Sequence, residues 1–305
     1  MPQLSFTLYS QALLSNTRVT VILPIWNEYD SYISSEDRFQ VLWLLHGGTG
    51  SYTDWTEKTN INWLSQKHRF AVVIPDTGTN HYNDVPGGPK YFTYLTEELP
   101  ALLGKYLPLS SRREDNFIAG LSMGGFGAAK CAFCYPEKYG AAGFFSTGPQ
   151  NGLQLRHSGM GMETPGYDRY DRIFGGKDKI PNSINDPWYI LKKAVNAGKE
   201  LPLIYNCCGT EDPAYPSFRA FEEYAASLGV KTVSHEAFGW HAWDYWNLEL
   251  ERFIDWLPLL KTRDYLEHLQ RQIGGIIVPQ KTAELPEKIE QLKNIYFEHA
   301  LPDSP

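Results

Sequence analysis

Cysteine, positive charge and long apolar runs are all scarce in this chain, and each scarcity excludes something. Among 305 residues there are four cysteines, Cys131, Cys134, Cys207 and Cys208. The first two form a C-x-x-C pair, which admits zinc or a disulfide. They fall, however, in an Ala-rich helical pattern, the other two are adjacent in an apolar strand, and no histidine spacing completes a ligand set. Free, buried thiols in a reducing cytoplasm are the expectation, with no metal and no cofactor. Lys and Arg number 28 against 35 Asp and Glu, a formal charge of -7. That sign is wrong for holding polyphosphate, so nucleic acid is not an expected partner. No stretch of 18 or more apolar residues occurs, and MPQLSFTLYSQALLSNTR has no basic start followed by an apolar run. The expectation is no membrane span and no secretion signal.

Repeats, low-complexity tracts and Pro/Gly/Ser-rich linkers are missing too; what is present is alternation. Short apolar runs at 41–47, 70–76, 116–122, 140–146, 202–209 and 231–237 are interleaved with segments of helical period. That βαβα order predicts a mostly parallel sheet covered on both faces by helices. Ahead of it, LSFTLYS and TRVTVILP alternate with period two around Asn16 and predict an antiparallel edge hairpin. Helical stripes follow at Leu95, Leu99, Leu102, Leu103 and Tyr106, where Pro100 must kink or restart the helix. Others run through Phe218, Phe221, Tyr224, Ala225 and Leu228, and through Trp246, Leu250, Phe253, Ile254 and Leu257. The last of these closes the pattern, giving one domain over 1–260.

Two regions break the alternation. Residues 149–186 are rich in Gly, Asp, Arg and Tyr and read as an excursion over the active-site end of the sheet. Residues 261–305 form a charged C-terminal extension in which Ile289, Leu292, Ile295 and Tyr296 make one amphipathic stripe, suited to docking on this chain or on a second copy.

Gly120-Leu121-Ser122-Met123-Gly124 is G-x-S-x-G, placed where a predicted strand ends and an Ala-rich helix begins. In that context Ser122 reads as a nucleophile rather than as packing filler, because a sharp strand-to-helix turn exposes the hydroxyl and needs glycines on either side. A serine hydroxyl requires a base, and the base a carboxylate to orient it. Asp212 follows the strand 202–209, and His241 lies between the last strand and the last helix, so order and element ends both suit a triad. Glu211 is the rival orienter, but Asp212 precedes Pro213 and is held extended. Asp244 is explained by capping of the last helix. His235 sits inside a strand, and His68, His157, His268 and His299 have polar surroundings, while His81 stays open. The developing oxyanion needs two backbone donors. Met123, after the nucleophile, supplies one, and Gly48 in LLHGGTGS the other, with His46 bracing that loop.

The set LLHGG, VVIPD, AGLSMGGFGA, CCGTED and HAWDYW resembles the putative-esterase family of α/β-hydrolases, over roughly residues 3–260. That family includes tributyrin-type carboxylesterases, S-formylglutathione hydrolases and some acetyl and feruloyl esterases. The resemblance implies the α/β-hydrolase fold, puts the nucleophile on Ser122 and the base on His241, and implies a metal-free site for short acyl groups. The expected activity is serine carboxylester hydrolysis on a small acyl ester through an acyl-enzyme, with a thioesterase or an acyltransferase using the same triad as alternatives. A non-catalytic binding protein on the same scaffold would need a missing triad member, and none is missing.

Overall fold

The computed structural model describes residues 3–24, 38–149 and 169–260. Strands β1 (Gln3–Ser10) and β2 (Ser15–Ile22) form the antiparallel hairpin. Its turn lies at 11–14, not at Asn16, which is inside β2 and pairs with Tyr9. The reason is tertiary. The carboxylate of Glu98 accepts hydrogen bonds from Ser10 Oγ at 2.5 Å and from the N–H groups of Gln11 and Ala12 at 2.7 and 3.1 Å, fixing the turn from a distant helix.

β2 pairs antiparallel with β4 (Ala71–Pro75). From there the sheet is parallel through β3 (Val41–Leu45), β5 (Asn116–Leu121), β6 (Ala141–Phe145), β7 (Leu203–Gly209) and β8 (Val233–Ala237), in the order β1-β2-β4-β3-β5-β6-β7-β8. Every residue of β3, β4, β5 and β6 is buried, as expected of strands covered on both faces and read as continuous apolar runs. All six predicted strands form, but shorter at their ends. His46, Asp76, Ser122 and Ser146 drop out of the ladders and stand at the C-terminal edge of the sheet, where open parallel sheets place their chemistry.

Helices α1 (Asp54–Lys58), α2 (Ile61–His68), α3 (Leu99–Tyr106), α4 (Met123–Cys134), α5 (Arg169–Phe174), α6 (Pro187–Asn196), α7 (Tyr215–Ser227) and α8 (Trp243–Trp256) lie between and around the strands. One face of the sheet buries Trp43, Val73, Ile118 and Phe144 with Leu99, Phe133, Leu191 and Phe221 of the helices. The opposite face buries Leu44, Phe117, Phe145 and Tyr205 with Leu64, Leu250 and Phe253. This is the α/β-hydrolase architecture. Pro100 acts as anticipated: the chain enters α3 through a π-type turn, Tyr94–Glu98, in which the Leu99 N–H reaches back five residues to Tyr94. Tyr106 departs from its stripe and is exposed, because α3 ends there and Leu107 is already extended.

Of the 149–186 excursion, residues 169–186 hold α5 and a turn at Lys177–Lys179. Ile173, Phe174 and Ile180 pack there on Phe126 of α4. The stripe Ile289, Leu292, Ile295 and Tyr296 lies outside the described residues. No helix among the described residues is long and apolar enough to cross a membrane.

Candidate active site

Ser122 is the single residue between β5 and α4, and its backbone is left-handed, φ 53° and ψ -119°. A non-glycine residue there is strained by roughly 1–3 kcal/mol. The surroundings hold it: the Ser122 N–H donates to Phe145 O of β6 at 2.8 Å, and Phe126 N–H returns to Ser122 O at 3.1 Å. The flanking glycines follow from close approach. A Cβ on Gly120 would lie 2.5 Å from the carbonyl carbon of Gly124, and one on Gly124 would run into Leu45 O and His46 O at the end of β3. Side chains at either position would lift α4 off the sheet. Ser122 is half-buried, whereas Leu121 and Met123 are fully buried.

Asp212 and His241 arrive on the loops after β7 and β8. His241 Nδ1 lies 3.0 and 2.9 Å from the two Asp212 oxygens. Asp212's side chain is wholly buried and that of His241 is 34% exposed, the arrangement of an orienting carboxylate behind a working imidazole. With Nδ1–H given to Asp212, the second nitrogen, Nε2, is the one available as a base. Burial by itself would raise the Asp212 carboxyl, but hydrogen bonds from His241 and from the Ala214 N–H, the latter 2.7 Å long, outweigh it and hold the acid below its usual range. Glu211 is exposed and its carboxylate takes only a 3.4 Å hydrogen bond from Thr210 among the bonds described. Asp244 is not the cap of α8: that position is Ala242, and Asp244 sits in the first turn accepting from Tyr245 N–H.

The loop carrying Gly48 is braced from beneath. His46 is fully buried, its Nδ1 2.8 Å from Gly47 O and its Nε2 accepting from Thr77 N–H at 3.2 Å. A carbonyl on one nitrogen and an N–H on the other fix the neutral Nδ1–H tautomer. Burial also lowers the His46 pKa. Tyr82 O–H bonds His46 O at 2.8 Å. A Cβ on Gly47 would lie 2.5 Å from Leu121 Cδ1, so this loop runs beside the residue preceding Ser122. Gly48 follows Gly47 on this loop, and Met123 follows Ser122 in the chain.

Other groups are accounted for by packing. His81 is buried against the rings of Phe126, Tyr170 and Phe174, and His235 Nδ1 lies 3.0 Å from the buried carboxylate of Glu249. Lys130, fully buried in α4, reaches Asn83 and Asn185 at 2.8 and 2.6 Å and has its amine lowered to about 8 by burial. The cysteines are unbridged and burial pushes their thiols up, which disfavours the thiolate that nucleophiles and metal ligands need. Among the described residues no group of three or more His, Cys, Asp or Glu is arranged to hold a metal ion. Sequence reasoning passed over Ser146 and read Trp246 only as part of the last helical stripe and of HAWDYW. Ser146 follows β6 with φ 50° and is buried, and its Oγ accepts from Trp246 Nε1 at 2.9 Å. The one available signal was its place: a polar residue at the end of the strand beside the nucleophile's.

Known proteins share this fold. The putative esterase family matches residues 10–257. An acetyl esterase of Caldicellulosiruptor saccharolyticus is 27% identical, over 84% of this chain and 98% of its own. Two solved Staphylococcus aureus structures are each 28% identical over 84% of this chain and 98% of theirs. One is a substrate-bound fluorophosphonate-binding serine hydrolase, with a TM-score of 0.77, and the other an S-formylglutathione hydrolase apoenzyme, with a TM-score of 0.75. With the family matched from the hairpin to the end of α8, and with this sheet beneath a strained serine turn, the chain belongs to the putative-esterase family of α/β-hydrolases and is a serine carboxylic ester hydrolase.

Proposed function

We propose that Ser122 is the nucleophile, His241 its general base and Asp212 the orienting carboxylate, with the backbone N–H groups of Met123 and Gly48 receiving the oxyanion. The observation that carries this reading is the buried Asp212 bonded to His241 Nδ1 at 2.9 Å, on loops at the same edge of the sheet as the strained Ser122 turn. In the first half-reaction Ser122 Oγ bonds to the ester carbonyl carbon as its proton passes to His241 Nε2. The carbonyl oxygen becomes an anion that the two N–H groups stabilise. Collapse breaks the bond to the alcohol oxygen, which takes the proton from the imidazolium. Water then repeats the sequence on the acyl-serine, freeing acid and serine.

The substrate in this reading is an ester with an acyl chain of about two to four carbons, supported by the acetyl esterase relative. A thioester is the second reading, supported by the S-formylglutathione hydrolase relative, since the acyl half of the chemistry is the same. Four unbridged thiols support a reducing, cytoplasmic setting. The 261–305 extension, in the same reading, joins copies into a homo-oligomer.

Incubation with a small serine-directed phosphonate, followed by intact and peptide mass spectrometry, tests the nucleophile without reference to substrate. One adduct on the Ser122 peptide is expected, and an unlabelled protein overturns the assignment. Turnover of matched esters then tests the chain-length claim. Acetate and butyrate should exceed decanoate, and a profile peaking at long chains reverses it.

A further inference from the structure

We propose that the Trp246–Ser146 hydrogen bond is a positioning clamp that ties the Asp212–His241 pair to the end of β6 beside Ser122. The inference rests on the triad reading above.

The clamp starts in one peptide group. The carbonyl of Phe145 accepts from the Ser122 N–H at 2.8 Å, and the N–H of the same peptide, that of Ser146, donates to Cys207 O of β7 at 2.8 Å. The nucleophile's turn and the strand that ends just before Asp212 are therefore pinned to a single rigid plane. Ser146 then adopts φ 50°, a conformation that glycine would take without strain. A buried serine kept there points to a task for its hydroxyl.

That hydroxyl has neighbours of two kinds, a donor and candidate acceptors. Trp246 Nε1–H donates to it at 2.9 Å, occupying an acceptor site and leaving its own proton to be placed. The hydroxyl pulls both the Asp212 carboxyl and the Cys208 thiol downward, and an ionised carboxylate is the far stronger acceptor. In the proposed clamp that proton goes to Asp212, where the Ser146 hydroxyl joins His241 and Ala214 in holding the acid below its usual range. The other end of the clamp is the indole itself. Its ring stands edge-to-face with His241, centroids 5.0 Å apart at 86°, and likewise with Trp243 at 5.2 Å. One buried tryptophan thereby fixes the ring of the base and, through Ser146, the carboxylate behind it.

A plainer role exists: a buried indole needs an acceptor, and Ser146 could serve only that. The two roles part in the pH profile. The titratable groups facing Asp212 are His241 and Cys208, and Cys208 is held neutral by burial. Removing the hydroxyl leaves more of the carboxylate's charge for the imidazole N–H, which favours the imidazolium, so the acid limb of kcat/KM moves to higher pH. A packing role moves stability but not this limb.

The test uses the full chain with p-nitrophenyl acetate and the variants Ser146→Ala, Ser146→Gly and Trp246→Phe. Expected for each is a loss of about tenfold in kcat with KM within about twofold, the scale found when a hydrogen-bond partner that orients a working side chain is removed, and an acid limb raised by about half a pH unit or more for the two serine variants. Ser146→Gly removes the backbone strain, so its melting temperature should not fall below that of Ser146→Ala, and its kcat should fall all the same. Wild-type kcat and an unmoved limb in both Ser146→Gly and Trp246→Phe overturn the clamp. So does a loss of kcat that tracks a lower melting temperature with the limb unmoved. Failure of the wild-type enzyme to label at Ser122 overturns the triad reading and the clamp with it.

Discussion

Ser122, His241 and Asp212 differ in what each would do at the reacting bond, and their substitutions should rank accordingly. Ser122→Ala removes the group that bonds to the acyl carbon, so kcat on p-nitrophenyl acetate should fall by about 10⁶, the scale found when such a triad loses its nucleophile. His241→Ala should be nearly as severe. Asp212→Asn should be milder, about 10⁴, because the carboxylate orients and stabilises without reacting. Glu211→Gln should leave kcat near wild type, since Glu211 is exposed and it is Asp212 that accepts the hydrogen bond from His241 Nδ1. If Glu211→Gln inactivated the enzyme while Asp212→Asn did not, the orienter would be misassigned. Asp212 also has a stability signature. Its folded-state pKa is depressed, so its contribution is present above the unfolded carboxyl value of about 3.9 and is lost as pH falls through the lower folded value. The melting-temperature gap between wild type and Asp212→Asn should therefore narrow below about pH 4.

The strands and helices carry these residues to one edge, and the contact of α4 with β3 is the tightest part of that delivery. Gly124→Ala would press a methyl group into Leu45 O and His46 O, atoms of backbone that cannot swing aside. We expect a loss of about 1–3 kcal/mol, the usual cost of overpacking, read from the urea midpoint, with kcat falling as the serine turn shifts. An unchanged midpoint would mean that the helix has slack. What was legible at this scale was the strand interior: all-apolar runs such as VLWLL and FFS's preceding residues announce burial on both faces, and the order Ser122, Asp212, His241 could be read because each follows a strand. Strand ends were not legible. Asp76, Ser122 and Ser146 leave the ladder through turns that depend on partners far away in sequence. The hairpin turn was misplaced for the same reason, since Glu98 sets it from 86 to 88 residues away. Ser146 escaped notice because neither its positive φ nor its distant partner Trp246 leaves a local signal.

For the whole molecule, the question is what residues 261–305 add to a domain that closes with α8. Leu250, Phe253, Ile254 and Leu257 are buried on the sheet, and the family match ends at residue 257, so the catalytic unit has its core without the extension. A stripe of Ile289, Leu292, Ile295 and Tyr296 in a segment rich in Glu and Lys would be a liability in water unless something covers it. Either the segment folds back on its own domain or it meets a second copy in a symmetric homo-oligomer, the commonest kind of assembly, and the second is the reading tested. Truncation after Lys261 should then give a smaller particle by light scattering, reduced to the monomer, while Ser122 still reacts with the phosphonate. A particle that loses only the mass of the removed residues, with the same number of chains as the full-length protein, would show that the extension does not assemble it.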